Sequence, residues 1–236
     1  MAEKRPVHEG HRDRVKKRFR QEGLDGFDEV HALELLLFFC IPRGDTNLLA
    51  HALLERFGSF AQVLDAPAEE LEKVPGIGEH ASTFLTLMTQ VSRYYLVSRN
   101  DLCAILTSTE QCGQFLLPYF VGRRDETVYL LCLDSKCKVI CCKEVGRGSV
   151  NSAGVSVRKI VETALAVNAV SVVLSHNHPS GLAVPSREDI LTTRRVAVAL
   201  DAVGIVLADH IVVADGDFVS LADSNLYSPD ECRLIL

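Results

Sequence analysis

No apolar run in this sequence approaches the ~18 residues that a membrane-spanning helix requires. Nothing at its start reads as a secretory leader: Met1 to Arg20 is charged throughout, without an apolar h-region. These absences predict a cytoplasmic protein with no membrane partner and with reduced thiols. No internal repeat and no low-complexity segment is present. A global basic surplus is missing too. The formal net charge is −6, so any contact with nucleic acid must be local, through a basic patch or through backbone amides. The cysteines lack a complete metal-binding pattern. Cys132-x4-Cys137-x3-Cys141-Cys142 could open a zinc knuckle, but no second CxxC-type pair completes it. Those thiols sit among strand-like apolar residues and are expected as small buried hydrophobes.

What is present describes an ordinary globular chain. Hydrophobic residues make up 47% and charged residues 24% of 236, enough for one large domain or two modest ones. The first hundred residues read as all-α. Eight Lys and Arg stand against three acids between Met1 and Arg20, which predicts a basic N-terminal helix, either a solvated face or a phosphate-contacting patch. Glu22-Gly23-Leu24-Asp25-Gly26 breaks it. The run His31 to Cys40, interrupted by Glu34, predicts a buried helix ended by Pro42. Thr46 or Asn47 is expected to cap the next, which carries Leu48, Leu49, Ala52, Leu53 and Phe57 at helical spacing. Val74-Pro75-Gly76-Ile77-Gly78-Glu79-His80-Ala81 resembles a helix-hairpin-helix element. Gly76 and Gly78 allow a tight turn, and the amides that follow could hold a phosphate of DNA without reading its sequence. The polar stretch Val97 to Asp101 is the expected linker, which gives domains of residues 1–100 and 101–236.

Beyond it, helix and strand alternate. Helices are expected over Ser108–Leu117, Ser156–Asn168 and Ser186–Val203. Strands are expected over Glu126–Leu133, Lys138–Val145, Val170–Leu174, Ile205–Ala214 and Phe218–Leu221. The pattern is α/β, a mixed sheet flanked by helices.

The chemistry concentrates between Leu174 and Asp189. His176 and His178 follow a buried strand, and residues i and i+2 of extended chain project to the same side. Both imidazoles can therefore reach one point. Asp189 arrives three residues past Ser186, at the start of a helix. Two nitrogens and one oxygen leave a tetrahedral Zn2+ with an open fourth position, the pattern of a catalytic site. Water on such an ion has its pKa lowered toward ~7. A general base is still needed, and Glu144 is the best candidate, ahead of Glu162 and Glu188. Ser186-x-x-Asp189 is also a fair capping box, and His210 beside Asp209 is expected to pack or to support a ligand.

His176-x-His178, seven residues, Ser186, two residues, Asp189 resembles the JAMM motif of the MPN (JAB-type) metalloprotease superfamily, and Glu144 matches its upstream glutamate. The wider text is similar to bacterial RadC-like proteins: Arg147-Gly148-Ser149-Val150-Asn151-Ser152, then His176-Asn177-His178-Pro179-Ser180-Gly181, then Asp209-His210-Ile211. Those proteins pair a JAMM domain with an N-terminal helix-hairpin-helix region. The resemblance implies an MPN-type, cytidine-deaminase-like fold, though the Pro-Cys-x-x-Cys of deaminase chemistry is absent. It implies His176, His178 and Asp189 as zinc ligands, Glu144 as acid/base, and Ser186 as a hydrogen-bond donor to the tetrahedral intermediate. The expected function is a zinc-dependent peptidase or isopeptidase with a peptide or protein substrate. A metal-dependent nuclease and a non-enzymatic DNA-associated module are the alternatives.

Overall fold

The structure, a computed structural model, describes residues 10–148, 156–179 and 181–229. The chain divides into two compact units, Met1–Val91 and Ser92–Leu236.

The first unit is helical: α1 His11–Glu22, α2 Glu29–Cys40, α3 Thr46–Phe57, α4 Phe60–Leu64, α5 Ala68–Leu71 and the first part of α6 Glu79–Ser98. Its helix ends follow local chemistry. Asp28 Oδ1 accepts from His31 N at the start of α2, and Ser59 Oγ accepts from Gln62 N at the start of α4. The cap of α3 is Asp45, one residue before the expected Thr46 or Asn47, because its carboxylate takes two orphan amides, Asn47 N and Leu48 N. Leu33, Leu37, Ala50, Leu53, Val74, Ile77 and Ala81 share one core. Gly76 adopts φ 95°, and a Cβ there would lie 2.7 Å from Leu49 Cδ2, so the hairpin turn needs glycine for packing as well as for its backbone. Glu34 is buried in α2, where it accepts from His11 Nε2 at 3.1 Å. Arg12, part of the basic helix, donates to Ile41 O and Gly44 O. Arg18 bonds Glu22 and Gly26 O. These two cations of α1 thus hold neighbouring backbone or side chains. Lys4 and Arg5 lie outside the described residues.

The second unit is a three-layer α/β structure. It comprises the end of α6, α7 Thr109–Phe120, β1 Thr127–Leu133, β2 Val139–Arg147, α8 Val157–Ala166, β3 Ser171–Asn177, α9 Arg187–Asp201, β4 Val206–Ala214 and β5 Asp217–Ser220. The sheet order is β2-β1-β3-β4-β5, with β3 and β4 parallel and the other pairs antiparallel. The parallel pair is joined by α9, a crossover of the βαβ kind. Alternation along the strands fills two cores. Val128, Leu130, Leu174 and Val212 pack under α8 and α9 with Ile160, Val196 and Leu200. Tyr129, Leu131, Val173 and Ile211 pack against α7 with Phe115, Leu116 and Tyr119. Burying each such leucine contributes about 1.5–3 kcal/mol. β1 is buried on both faces, as a central strand covered by helices on each side must be. Of the thiols expected to be buried, Cys132 is, in the core under α8 and α9, whereas Cys137, Cys141 and Cys142 are only half-buried, since the β2 edge strand and the hairpin turn leave them partly open. Among the described residues no cysteine joins a metal-holding group, and no helix is long and apolar enough to cross a membrane.

The strand expected to stop at Leu174 continues to Asn177. Ladders on both sides carry it onward: His176 pairs in register with Val128 of β1 and with Val212 of β4, and Asn177 with Val213. His176 is therefore set by the sheet itself and not by a loop.

Candidate metal centre

His176, His178 and Asp189 come together, with one ligand-type atom of each inside a span of 4.8 Å. Three elements place them. His176 lies in β3 on the α9 face. His178 stands one residue past the strand, its amide still bonded to Val213 O at 2.8 Å. Asp189 projects from the first turn of α9, whose N-cap is Ser186. The separations are 2.9 Å between the two Nε2 atoms, 3.2 Å from His176 Nε2 to Asp189 Oδ1, and 3.5 Å from His178 Nε2 to Asp189 Oδ2. Ligand atoms about 2.0–2.1 Å from a tetrahedral zinc stand about 3.3 Å apart, so the trio has the spacing such an ion needs.

Hydrogen bonds around the trio assign the imidazole protons. Thr193 Oγ1 donates to Asp189 O at 2.6 Å and so accepts from His210 Nδ1, also at 2.6 Å. His210 is fully buried, and desolvation pushes its pKa well below 6.5, which keeps the ring neutral. Its Nε2 then accepts from His176 Nδ1 at 2.9 Å, which leaves the His176 Nε2 lone pair for the cluster. On the other side, His178 Nδ1 donates to Leu182 O at 3.0 Å, which frees its Nε2 in the same way. Two lone pairs and a carboxylate converge with no donor of their own between them. That is an electron-rich hollow, and a cation satisfies it.

Ser186 and Asp189 form a full capping box. Asp189 N donates to Ser186 Oγ at 3.2 Å, and Ser186 N donates to Asp189 Oδ2 at 2.6 Å. The two readings of this pair are therefore compatible: the cap aims the carboxylate at the histidines. His210 stands behind His176 and Thr193 behind His210. The sequence reading missed Thr193, whose place one turn along α9 from Asp189 is the signal that could have found it.

Glu144, expected as acid/base, is not brought to the group. It is in register with Tyr129, whose other neighbour is Ser175, and that row faces α7. His176 belongs to the adjacent row, with Val128 and Gly146, and faces α9. A bulge at Val145 keeps the two rows on opposite faces. Glu144 is instead clamped by arginines: Arg123 Nη2 at 3.0 Å, and Arg147 through Nε and Nη2 at 3.0 and 2.9 Å. Burial raises its pKa, but the two guanidiniums bring it below 4.5. Glu126 immediately precedes β1, two residues before Val128, the partner of His176, so continued strand alternation would put it on the α9 face. Its carbonyl accepts from Gly148 N at 3.0 Å, so the antiparallel pairing extends to it.

Asn177 points away from the trio. Its Oδ1 accepts from Thr127 N at 2.8 Å and ties the end of β3 to the start of β1. Asp209 likewise serves the α7 face, accepting from Ser220 Oγ at 2.6 Å and Ala222 N at 3.1 Å. Gly76 and Gly78 are exposed in the other unit. Ser149 to Ser152 and Ser180, part of the motif text, lie outside the described residues.

Comparison with known proteins agrees with this geometry. The profile of the RadC-like JAB domain matches residues 106–226. The UPF0758 protein FN0909 of Fusobacterium nucleatum subsp. nucleatum is 34% identical over 233 residues, covering 96% of this chain and 100% of that protein. A profile spanning the whole sheet and its candidate metal group, together with identity along nearly the full length, places the chain in the family that carries the RadC-like JAB domain.

Proposed function

We propose that the protein is a zinc-dependent hydrolase of JAMM type that cleaves a peptide or isopeptide bond. The observation that carries this reading is the meeting of His176 Nε2, His178 Nε2 and an Asp189 carboxylate oxygen, with both imidazole tautomers fixed from behind. Those three atoms hold the ion. Bound there, zinc supplies a Lewis acid that makes water nucleophilic near neutral pH. The chain supplies the rest. Glu126, on the same sheet face, takes the proton from the attacking water and returns it to the leaving amine. The Ser186 hydroxyl, whose oxygen already accepts from Asp189 N, keeps its own proton to donate to the carbonyl oxygen as that becomes negative, an interaction worth about 3–4 kcal/mol in comparable sites. Burial of His176 and Asp189 excludes water from the ligand side of the site.

Metal analysis of protein prepared without chelators tests the centre. About one zinc per chain is expected, lost in His176→Ala, and a metal-free wild type would end the proposal. A screen of peptide, isopeptide and DNA substrates then tests the reaction. Turnover of a peptide or isopeptide should vanish in Glu126→Ala with the metal retained, whereas zinc-dependent DNA cleavage with no peptide turnover would replace peptidase by nuclease.

A further inference from the structure

Cysteine is concentrated in the β1–β2 hairpin, and two of its thiols stand opposite one another. Cys132 of β1 and Cys141 of β2 are direct partners across the antiparallel ladder, beside the bulge that takes up Ile140. Partners of this kind present their side chains to one face. Here it is the face under α8: Cys132 is a fully buried member of that core, and Cys141 packs against it. Cys142 is in register with Leu131 and packs on the opposite face. The α-carbons of directly opposed residues lie about 4.5 or 5.5 Å apart, according to whether the pair exchanges hydrogen bonds. Both values fall inside the ~4.4–6.8 Å that a disulfide spans. Their β-carbons, about 4.5–5.5 Å apart, reach or exceed the wide end of the ~3.5–4.5 Å that it prefers. The ladder therefore permits the bond and strains it. The two thiols are free and differ in access, since Cys141 is half-buried on an edge strand. Burial, and after it the charge of Cys141, push the Cys132 thiol up to about 12, so alone it is inert at neutral pH.

We propose that Cys132 and Cys141 are a redox modification site, which an oxidant of the peroxide class closes to a cross-strand disulfide and which thiols reopen. The half-buried Cys141 reacts first. Its sulfur attacks one oxygen of hydrogen peroxide, the O–O bond breaks, and the departing hydroxide takes the thiol proton and leaves as water. Cys141 is then a sulfenic acid. The Cys132 sulfur attacks the Cys141 sulfur, the S–O bond breaks, and the second hydroxide leaves with the Cys132 proton. Two thiols lose two electrons and two protons, and one peroxide becomes two waters. Burial suits Cys132 to this second step: it does not meet the oxidant, and the ladder holds it opposite the sulfur that does. The strain set by the β-carbon spacing makes the bond easier to reduce, as reversibility requires. Cys132 is in register with Val172, whereas His176 is in register with Val128 near the other end of β1. The site thus stands or falls independently of the metal centre.

The test treats the full chain, reduced and then freed of reductant, with hydrogen peroxide at neutral pH. Remaining thiols are alkylated in denaturant and the protein is digested with trypsin. Cleavage after Arg124, Lys136, Lys138 and Lys143 puts Cys132 in the peptide 125–136, Cys137 in 137–138, and Cys141 with Cys142 in 139–143. Peptides 125–136 and 139–143 should be found joined, two hydrogens lighter than their sum, with the intact protein keeping a monomer's mass. The join should persist in Cys142→Ser, vanish in Cys141→Ser, and be lost when reduced glutathione is added to the folded protein before alkylation. Cys132→Ala keeps an apolar core side chain, and should leave Cys141 as a sulfenic acid that dimedone captures. Exposed Cys103 reports that the oxidant has acted. Oxidised Cys103 with Cys132 and Cys141 still fully alkylated would overturn the proposal. So would a join that survives Cys141→Ser, one that disappears in Cys142→Ser, or one that glutathione leaves intact. Should Cys141→Ser fail to fold, the site of dimedone capture in Cys132→Ala decides alone, and capture on Cys142 in place of Cys141 refutes the pairing.

Discussion

Replacing Thr193 by valine keeps the shape of a fully buried side chain and removes one hydroxyl. Two 2.6 Å hydrogen bonds vanish, to Asp189 O and from His210 Nδ1. His210 then has two choices. It can leave Nδ1–H buried and unpaired, at a cost of about 1–3 kcal/mol. Or it can shift its proton to Nε2, which confronts His176 Nδ1–H head-on at 2.9 Å. Relief of that clash requires His176 to move its own proton to Nε2, onto the lone pair the ion needs. In the first case His210 loses the contact that fixes its ring behind His176, and in the second metal binding must reverse an unfavourable proton arrangement. Loss of such a supporting contact lowers metal affinity about 10–100-fold, or about 1.4–2.7 kcal/mol. Zinc affinity by competition with a chromophoric chelator measures it, and nitrogen-15 histidine spectra of the metal-free protein report the tautomers directly. Thr193→Ser restores the hydroxyl and should recover affinity. Wild-type affinity in Thr193→Val, or a wild-type His176 with its proton on Nε2, would refute the relay even if the centre binds zinc.

Asp189→Asn should abolish zinc binding yet cost little stability, because the amide oxygen can still accept from Ser186 N. Asp189→Ala should lose the metal and also about 1 kcal/mol of helix capping in a urea titration. Gly113→Ala places a Cβ 2.2 Å from Phe218 Cζ. The overpacking costs about 1–3 kcal/mol against about 1 kcal/mol of helix propensity gained; a net loss is expected that Phe218→Ala converts to a gain, and a Gly113→Ala chain more stable than wild type would contradict the contact. Glu144 has a folded pKa below 4.5, so its stabilising contribution is complete above that value and disappears as pH falls through the folded pKa. Urea midpoints of wild type and Glu144→Gln should differ at pH 7 and converge in acid; a gap independent of pH would show that the arginine clamp contributes nothing.

Much of the candidate centre is local, and local patterns are legible. His176 and His178 share a side because extended chain alternates, and Ser186 and Asp189 share a turn because a capping box spans three residues. The same rules give every helix and strand of the second unit to within a few residues. Misjudged details were those where one neighbour wins over another, such as Asp45 taking the α3 cap or β3 running on to Asn177 because two ladders support it.

The placement of Glu144 was of a different kind. It lies near a strand end, and a sequence names no partner strand. Which face it presents depends on the register of β2 with β1 and on the bulge at Val145, and one residue of slip inverts every side chain. The relay through Thr193 and His210 likewise joins residues 17 positions apart, and Glu144 is held by Arg123 from 21 positions away. By itself the sequence determined the elements and pointed to His176, His178 and Asp189 as a convergent group, because short-range geometry sets those. Only the tertiary structure decided that Glu144 turns to the arginines and away from the histidines, and how His176 and His210 are bonded from behind, because those follow from sheet register and from contacts between elements distant in the chain.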